Sequence, residues 1–195
     1  MKKGTVFCRK FADRCAGECR DSRVCRTWEL AVGRNVKLLF IFRNKLETNN
    51  MELKLSFEEG VKTVDMPLAK LLVNDREAYF LVDTGANVCY IDETFAQEIG
   101  AEEIPPIIEN AIQLSGNYDV SRAYNVAFTI DGMLITDVPC AATDTRGVCE
   151  SIRESGMAMN GIIGMFLMRI LHGSIDLDTL TITFRIPDRG PMQQE

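Results

Sequence analysis

Histidine is nearly absent from this chain: 195 residues hold one, His172. That excludes metal sites built from several imidazoles. A thiol–imidazole hydrolase would have to join His172 to Cys89, and nothing in their spacing brings them together. Cys89 lies in an apolar run, where an inert buried thiol is expected. No Gly-x-Ser-x-Gly elbow and no glycine loop of the Walker type occurs, so neither chemistry has its defining turn. Closely spaced cysteine pairs are missing too. Cys8, Cys15, Cys19 and Cys25 follow a C-x6-C-x3-C-x5-C spacing, which a zinc site does not favour. No metal and no cofactor are expected. The apolar run Val36–Phe42 is too short to span a bilayer and reads as a strand or a weak surface anchor. Charges at Arg9, Lys10, Asp13 and Arg14 leave no apolar core for a secretory signal. With an odd total of seven cysteines, this points to reduced thiols and a cytoplasmic location, with no membrane partner.

Charge is unevenly spread. Residues 1–50 hold twelve Lys/Arg and five Asp/Glu, a net of +7, whereas 51–195 hold ten and 23, a net of −13. Such asymmetry marks a basic, Cys-containing N-terminal extension ahead of an acidic folded domain at 51–195. The extension is expected to be disordered, dispensable, or an over-extension upstream of a start at Met51. The acidic balance argues against nucleic acid as a partner.

The domain is organised around Phe80–Asp92, FLVDTGANVCYID. Two apolar runs, Phe80–Val82 and Val88–Ile91, read as buried strands on either side of Asp83-Thr84-Gly85-Ala86. A carboxylate between apolar strands is costly unless it is hydrogen-bonded or does chemistry. Thr84 supplies a hydroxyl, and Gly85 permits a tight backbone path.

The remaining pattern is mostly β. Met51–Phe57 alternates, Val61–Leu68 contains a second candidate strand, and a polar turn at Asn74–Glu77 leads into Glu77–Val82. Asp92 stands as N-cap of a short helix, Glu93–Ile99, closed by Gly100. Ile112–Leu114 and Ala123–Ile130 read as strands, with turn formers Ser115–Asp119 between them. Asp131-Gly132 is a hairpin signal. Asp144-Thr145-Arg146-Gly147 echoes the first loop, but Arg146 stands where Gly is needed, so Asp144 reads as a loop residue. Glu150–Glu154 reads as a helical turn. Met165–Leu171, apolar except for Arg169, reads as a buried helix, and His172-Gly173 closes it. Leu180–Ile186 alternates as a last strand.

The loop, together with Gly161-Ile162-Ile163-Gly164 before the apolar helix and the closing segment Ser174–Phe184, resembles the retropepsin-like aspartic proteases over Met51 to Pro187. That resemblance implies a closed acid-protease barrel with one or two short helices. It also implies an aspartic endopeptidase working as a homodimer, in which Asp83 and its symmetry mate share a proton and activate water. Thr84, Gly85 and Ala86 would support the loop, with Thr84 hydrogen-bonding across the dyad. Gly116, Asn117 and Tyr118 would form a flap over an extended peptide, and Ile162, Ile163 and Gly164 would shape the cleft. About 145 acidic-domain residues are too few for two full lobes, so the twofold axis must supply the second carboxylate. The alternative is a catalytically inactive relative, the same barrel used for dimerisation or peptide binding.

Overall fold

Two tight turns set the frame. Asn74-Asp75 and Asp131-Gly132 all have positive φ, the geometry whose twist matches that of paired strands, so each joins an antiparallel hairpin. The first joins β4 (Leu68–Val73) to β5 (Arg76–Val82), and the second joins β10 (Ala123–Ile130) to β11 (Met133–Thr143). In this computed structural model, residues 26–32, 36–42, 51–106, 110–113, 116–119, 122–145, 152 and 154–186 are described, the strands before residue 51 and at 110–119 by backbone course alone. The four N-terminal cysteines, Arg146 and most of Glu150–Glu154 lie outside these residues.

A six-stranded ring closes the fold. β11 pairs with β6 (Cys89–Asp92), β6 with β12 (Met159–Ile163), β12 with β5, β5 with β4, β4 with β10, and β10 returns to β11. Pairing is parallel between β5 and β12 and between β6 and β11, and antiparallel elsewhere. Alternation sends one face of every strand inward. Ala69, Leu71 and Val73, Phe80 and Val82, Cys89 and Ile91, Val126 and Phe128, Val138 and Cys140, and Ile163 fill one core. Phe80 and Phe128 meet edge to face at 5.3 Å. The result is the mostly-β closed barrel expected.

One irregularity lets β11 serve two neighbours. Val126 pairs with Val138, and Phe128 with Ile135. The extra residue on β11 falls at Thr136–Asp137, where Asp137 has φ 60°, a bulge that bends the strand. Before the bulge, Leu134–Thr136 pair with β2 (Val36–Phe42), which in turn pairs with β1 (Arg26–Val32). After it, Cys140–Thr143 pair with β6. The run Val36–Phe42 is therefore a strand.

A three-stranded sheet lies beside the ring, ordered β13 (Ser174–Asp176), β14 (Thr181–Ile186), β3 (Met51–Ser56). Leu53, Leu55, Ile182 and Phe184 join its inner face to the main core. Three short helices are described, one more than the upper expectation. The extra one is α1 (Glu58–Val64), in a segment expected to contain a strand. Its buried or half-buried positions are Gly60, Val61 and Val64, a helical spacing rather than a period of two. Lys62 bridges to Glu58 one turn back. α2 (Glu93–Glu98) and α3 (Met165–Ile170) follow β6 and β12. β7 (Glu102–Ile104) pairs with β10. Gly116–Asp119, expected as a turn, is instead strand β9, paired with β8 (Asn110–Gln113) in a separate ribbon. Cross-strand pairing overrides the turn preference of its residues.

Candidate active site

Asp83 ends β5. Its N–H donates to the Ile163 carbonyl at 3.1 Å, extending the β5–β12 ladder by one rung. One pleat earlier Val82 points into the core, so Asp83 faces outward, half-exposed. Its Oδ1 accepts the Gly85 N–H at 2.8 Å, and its carbonyl accepts the Ala86 N–H at 3.3 Å. A charge-assisted bond two residues on closes the loop around the carboxylate. A Cβ on residue 85 would lie 3.1 Å from that Oδ1, so glycine keeps the carboxylate uncrowded. Thr84 is exposed and Ala86 buried.

The loop is fastened from behind by α3. The helix has no capping side chain, so its first N–H groups need acceptors elsewhere. Met165 donates to the Ala86 carbonyl at 2.7 Å and Phe166 to that of Asn87 at 3.1 Å. This works only because Gly164 has no side chain. A Cβ there would sit 2.0 Å from the Val88 carbonyl oxygen and 2.9 Å from that of Ala86. Gly161 has a parallel role, since a Cβ would fall 2.4 Å from the Phe80 ring. Of the two glycines of Gly-Ile-Ile-Gly, Gly164 thus lets the helix meet the acidic loop backbone to backbone, and Gly161 lets β12 lie close against the Phe80 ring and the Tyr90 carbonyl.

The structure brings Asp83, Thr84, Gly85, Ala86, Ile162, Ile163 and Gly164 together. Ile163 buries its side chain in the core and reaches Asp83 through its carbonyl, while Ile162 turns outward and is half-exposed. Gly116, Asn117 and Tyr118 lie on β9, whose pairing is with β8.

Two groups escaped the sequence reading. Asn87 and Tyr90 are linked, the Tyr90 hydroxyl donating to Asn87 Oδ1 at 3.3 Å. Alternation puts Val88 and Tyr90 on one face and Cys89 and Ile91 on the other, but all four are apolar, so the sequence does not say which face is the outer one. Thr145 is the second. Asp92 caps α2 by accepting the Phe95 N–H at 3.0 Å, as expected, and its other oxygen accepts the N–H and hydroxyl of Thr145 at 3.1 and 2.9 Å. This buried carboxylate joins α2 to the end of β11 and is fully occupied structurally.

Cys89 and Cys140 face each other across β6 and β11, both fully buried. Both are free thiols, and a hydrogen bond with the Cys140 thiol holds Cys89 below the usual thiol range, while burial pushes Cys140 well up. Neither reaches the surface to act as a nucleophile. His172 stands just past α3 with φ 46°. Among the described residues no group of three or more His, Cys, Asp or Glu is placed to hold a metal.

A family profile described as "Aspartyl protease" matches residues 69–167, just over half of the chain and the whole run from β4 into α3. No curated protein matches the sequence. Among solved structures, the chain is similar to a retropepsin-like aspartic protease from Rickettsia conorii, at 16% identity, 73% of this chain, 98% of that one and a TM-score of 0.44. It is also similar to the retroviral protease-like domain of Ddi1 from Leishmania major, at 16% identity, 63% of this chain, 95% of that one and a TM-score of 0.38.

Proposed function

Because the chain belongs to the aspartyl protease family, we propose that it is an aspartic endopeptidase that works as a homodimer, Asp83 of each copy forming half of the catalytic pair. The observation that carries this reading is the Asp83 loop: a half-exposed carboxylate on an outward face, held by a backbone N–H, in a loop fastened by the first turn of α3. One such loop is present among the described residues, and carboxylate-driven peptide hydrolysis needs two acids, one to take a proton from water and one to protonate the carbonyl oxygen. A twofold axis through the loop supplies the second. Exposed Thr84 is then free to bond across the axis, and the substrate lies extended over the cleft beneath the ribbon bearing Gly116, Asn117 and Tyr118.

The test is a peptide library incubated with full-length protein across pH 4 to 7, with sedimentation of the same samples. Asp83→Asn should lower cleavage by about 10³-fold or more while leaving the sedimentation coefficient unchanged. Cleavage that survives the substitution, or full activity from a strict monomer, refutes the mechanism. A dimer that binds peptides without cutting them favours the inactive relative.

A further inference from the structure

The face that carries Asp83 also carries a continuous apolar floor. Leu81 lies two residues back on the same side of β5, about 7 Å along the strand. Its register partner on β12 is Ile162, Ile162 pairs with Tyr90 on β6, and Tyr90 pairs with Ala141 on β11. Cross-strand partners share a face, so Leu81, Ile162, Tyr90 and Ala141 form one row across four strands beside the carboxylate. Ala86, Val88, Tyr90, Ala141 and Ile162 pack together as a cluster apart from the barrel core. Leu81 and Ile162 are half-exposed, whereas Tyr90 is 2% exposed and heads the largest fully buried side chains. Its hydroxyl bond to Asn87 ties the ring to the acidic loop.

We propose that Tyr90 sets the depth of the substrate subsite beside Asp83, restricting one residue next to the scissile bond to small or β-branched apolar side chains. The proposal rests on the proteolytic reading. The half-exposed rim, Leu81 and Ile162, offers apolar contact to a substrate side chain. Leu81 packs on its far side against Leu68, Ile152, Met157 and Met159, while the phenol ring packs against Ile162 and stops a longer side chain from entering there. Its bond to Asn87 fixes the ring, so the hollow does not open by rotation of a free side chain.

The experiment sequences the products of a peptide library cut by full-length wild type, Tyr90→Val and Tyr90→Phe, with circular dichroism on each. Wild type should select Ala, Val or Thr at one position flanking the cut. Tyr90→Val should move that position toward Leu and Phe by about tenfold or more in relative kcat/KM, and Tyr90→Phe, which keeps the ring, should retain the wild-type preference. If Tyr90→Val does not fold, Ile162→Ala, which enlarges the same hollow from its exposed side, should produce the same shift. Cleavage by the variants with an unmoved profile, or a shift confined to positions remote from the cut, overturns the subsite and leaves the protease standing. A wild type that cuts nothing overturns both.

Discussion

Gly164 carries the tightest constraint around the acidic loop. Adding one methyl group at 164 drives it to 2.0 Å from the Val88 carbonyl oxygen, a backbone atom that no rotamer change can move. Gly164→Ala must therefore push α3 off the loop and break the Met165 and Phe166 bonds that hold Ala86 and Asn87. The expected cost is about 3 kcal/mol or more, read as a fall in urea midpoint, with activity lost in parallel. Retention of wild-type stability would mean that helix and loop can separate freely. The Asp83–Ala86 loop and Gly161–Gly164 were legible because glycine and carboxylate break an apolar pattern, and such breaks stand out in a sequence. Tyr90 was not legible, because an aromatic in an apolar run reads the same whichever face it takes. Only the register with Ile162 and Ala141 assigns it to the outer one.

Elements announced by local chemistry matched their sequence signals: the Asp92-capped helix α2, the Asp131-Gly132 hairpin, and α3 with its αL residue at His172. The segment Val61–Leu68 misled, since its spacing of apolar residues suits a strand while its burial follows a helix. The β8–β9 ribbon misled for the opposite reason, turn-forming residues being drawn into pairing. The turn between β13 and β14 offers a test at this scale. Asp176 Oδ1 accepts the N–H groups of Thr179 and Asp178, and these bonds, Thr179's first, hold its carboxyl below the usual aspartate range. A depressed folded-state value stabilises the fold above the unfolded value of about 3.9, and that stabilisation is lost as pH falls through the folded value. Wild type should thus lose more stability between pH 6 and pH 3 than Asp176→Asn does. Since the group is fully exposed, the difference should be small and should shrink further in high salt. Equal acid dependence in paired urea titrations would show that the turn bonds do not couple to folding.

At the scale of the whole molecule the open matter is where the domain begins. Composition divides the chain near Met51, yet β2 lies against β11 at Leu134–Thr136, so the basic segment contributes strands to a sheet that also contains the barrel. The ring itself closes without them, every one of its six pairings lying between residues 68 and 163. Charge asymmetry could not reveal this, because backbone pairing is indifferent to the net charge of the segment that supplies it. A chain starting at Met51 should therefore keep a cooperative β fold. What it loses is confined to the uncovered edge: amides of Leu134–Thr136 that face β2 should exchange about tenfold faster or more, while those of Phe80–Val82 stay protected. Hydrogen exchange on the two chain lengths decides the boundary. Uniformly faster exchange in the shorter chain would make the hairpin part of the folding unit, and unchanged exchange at Leu134–Thr136 would mean that β2 does not hold that edge in solution.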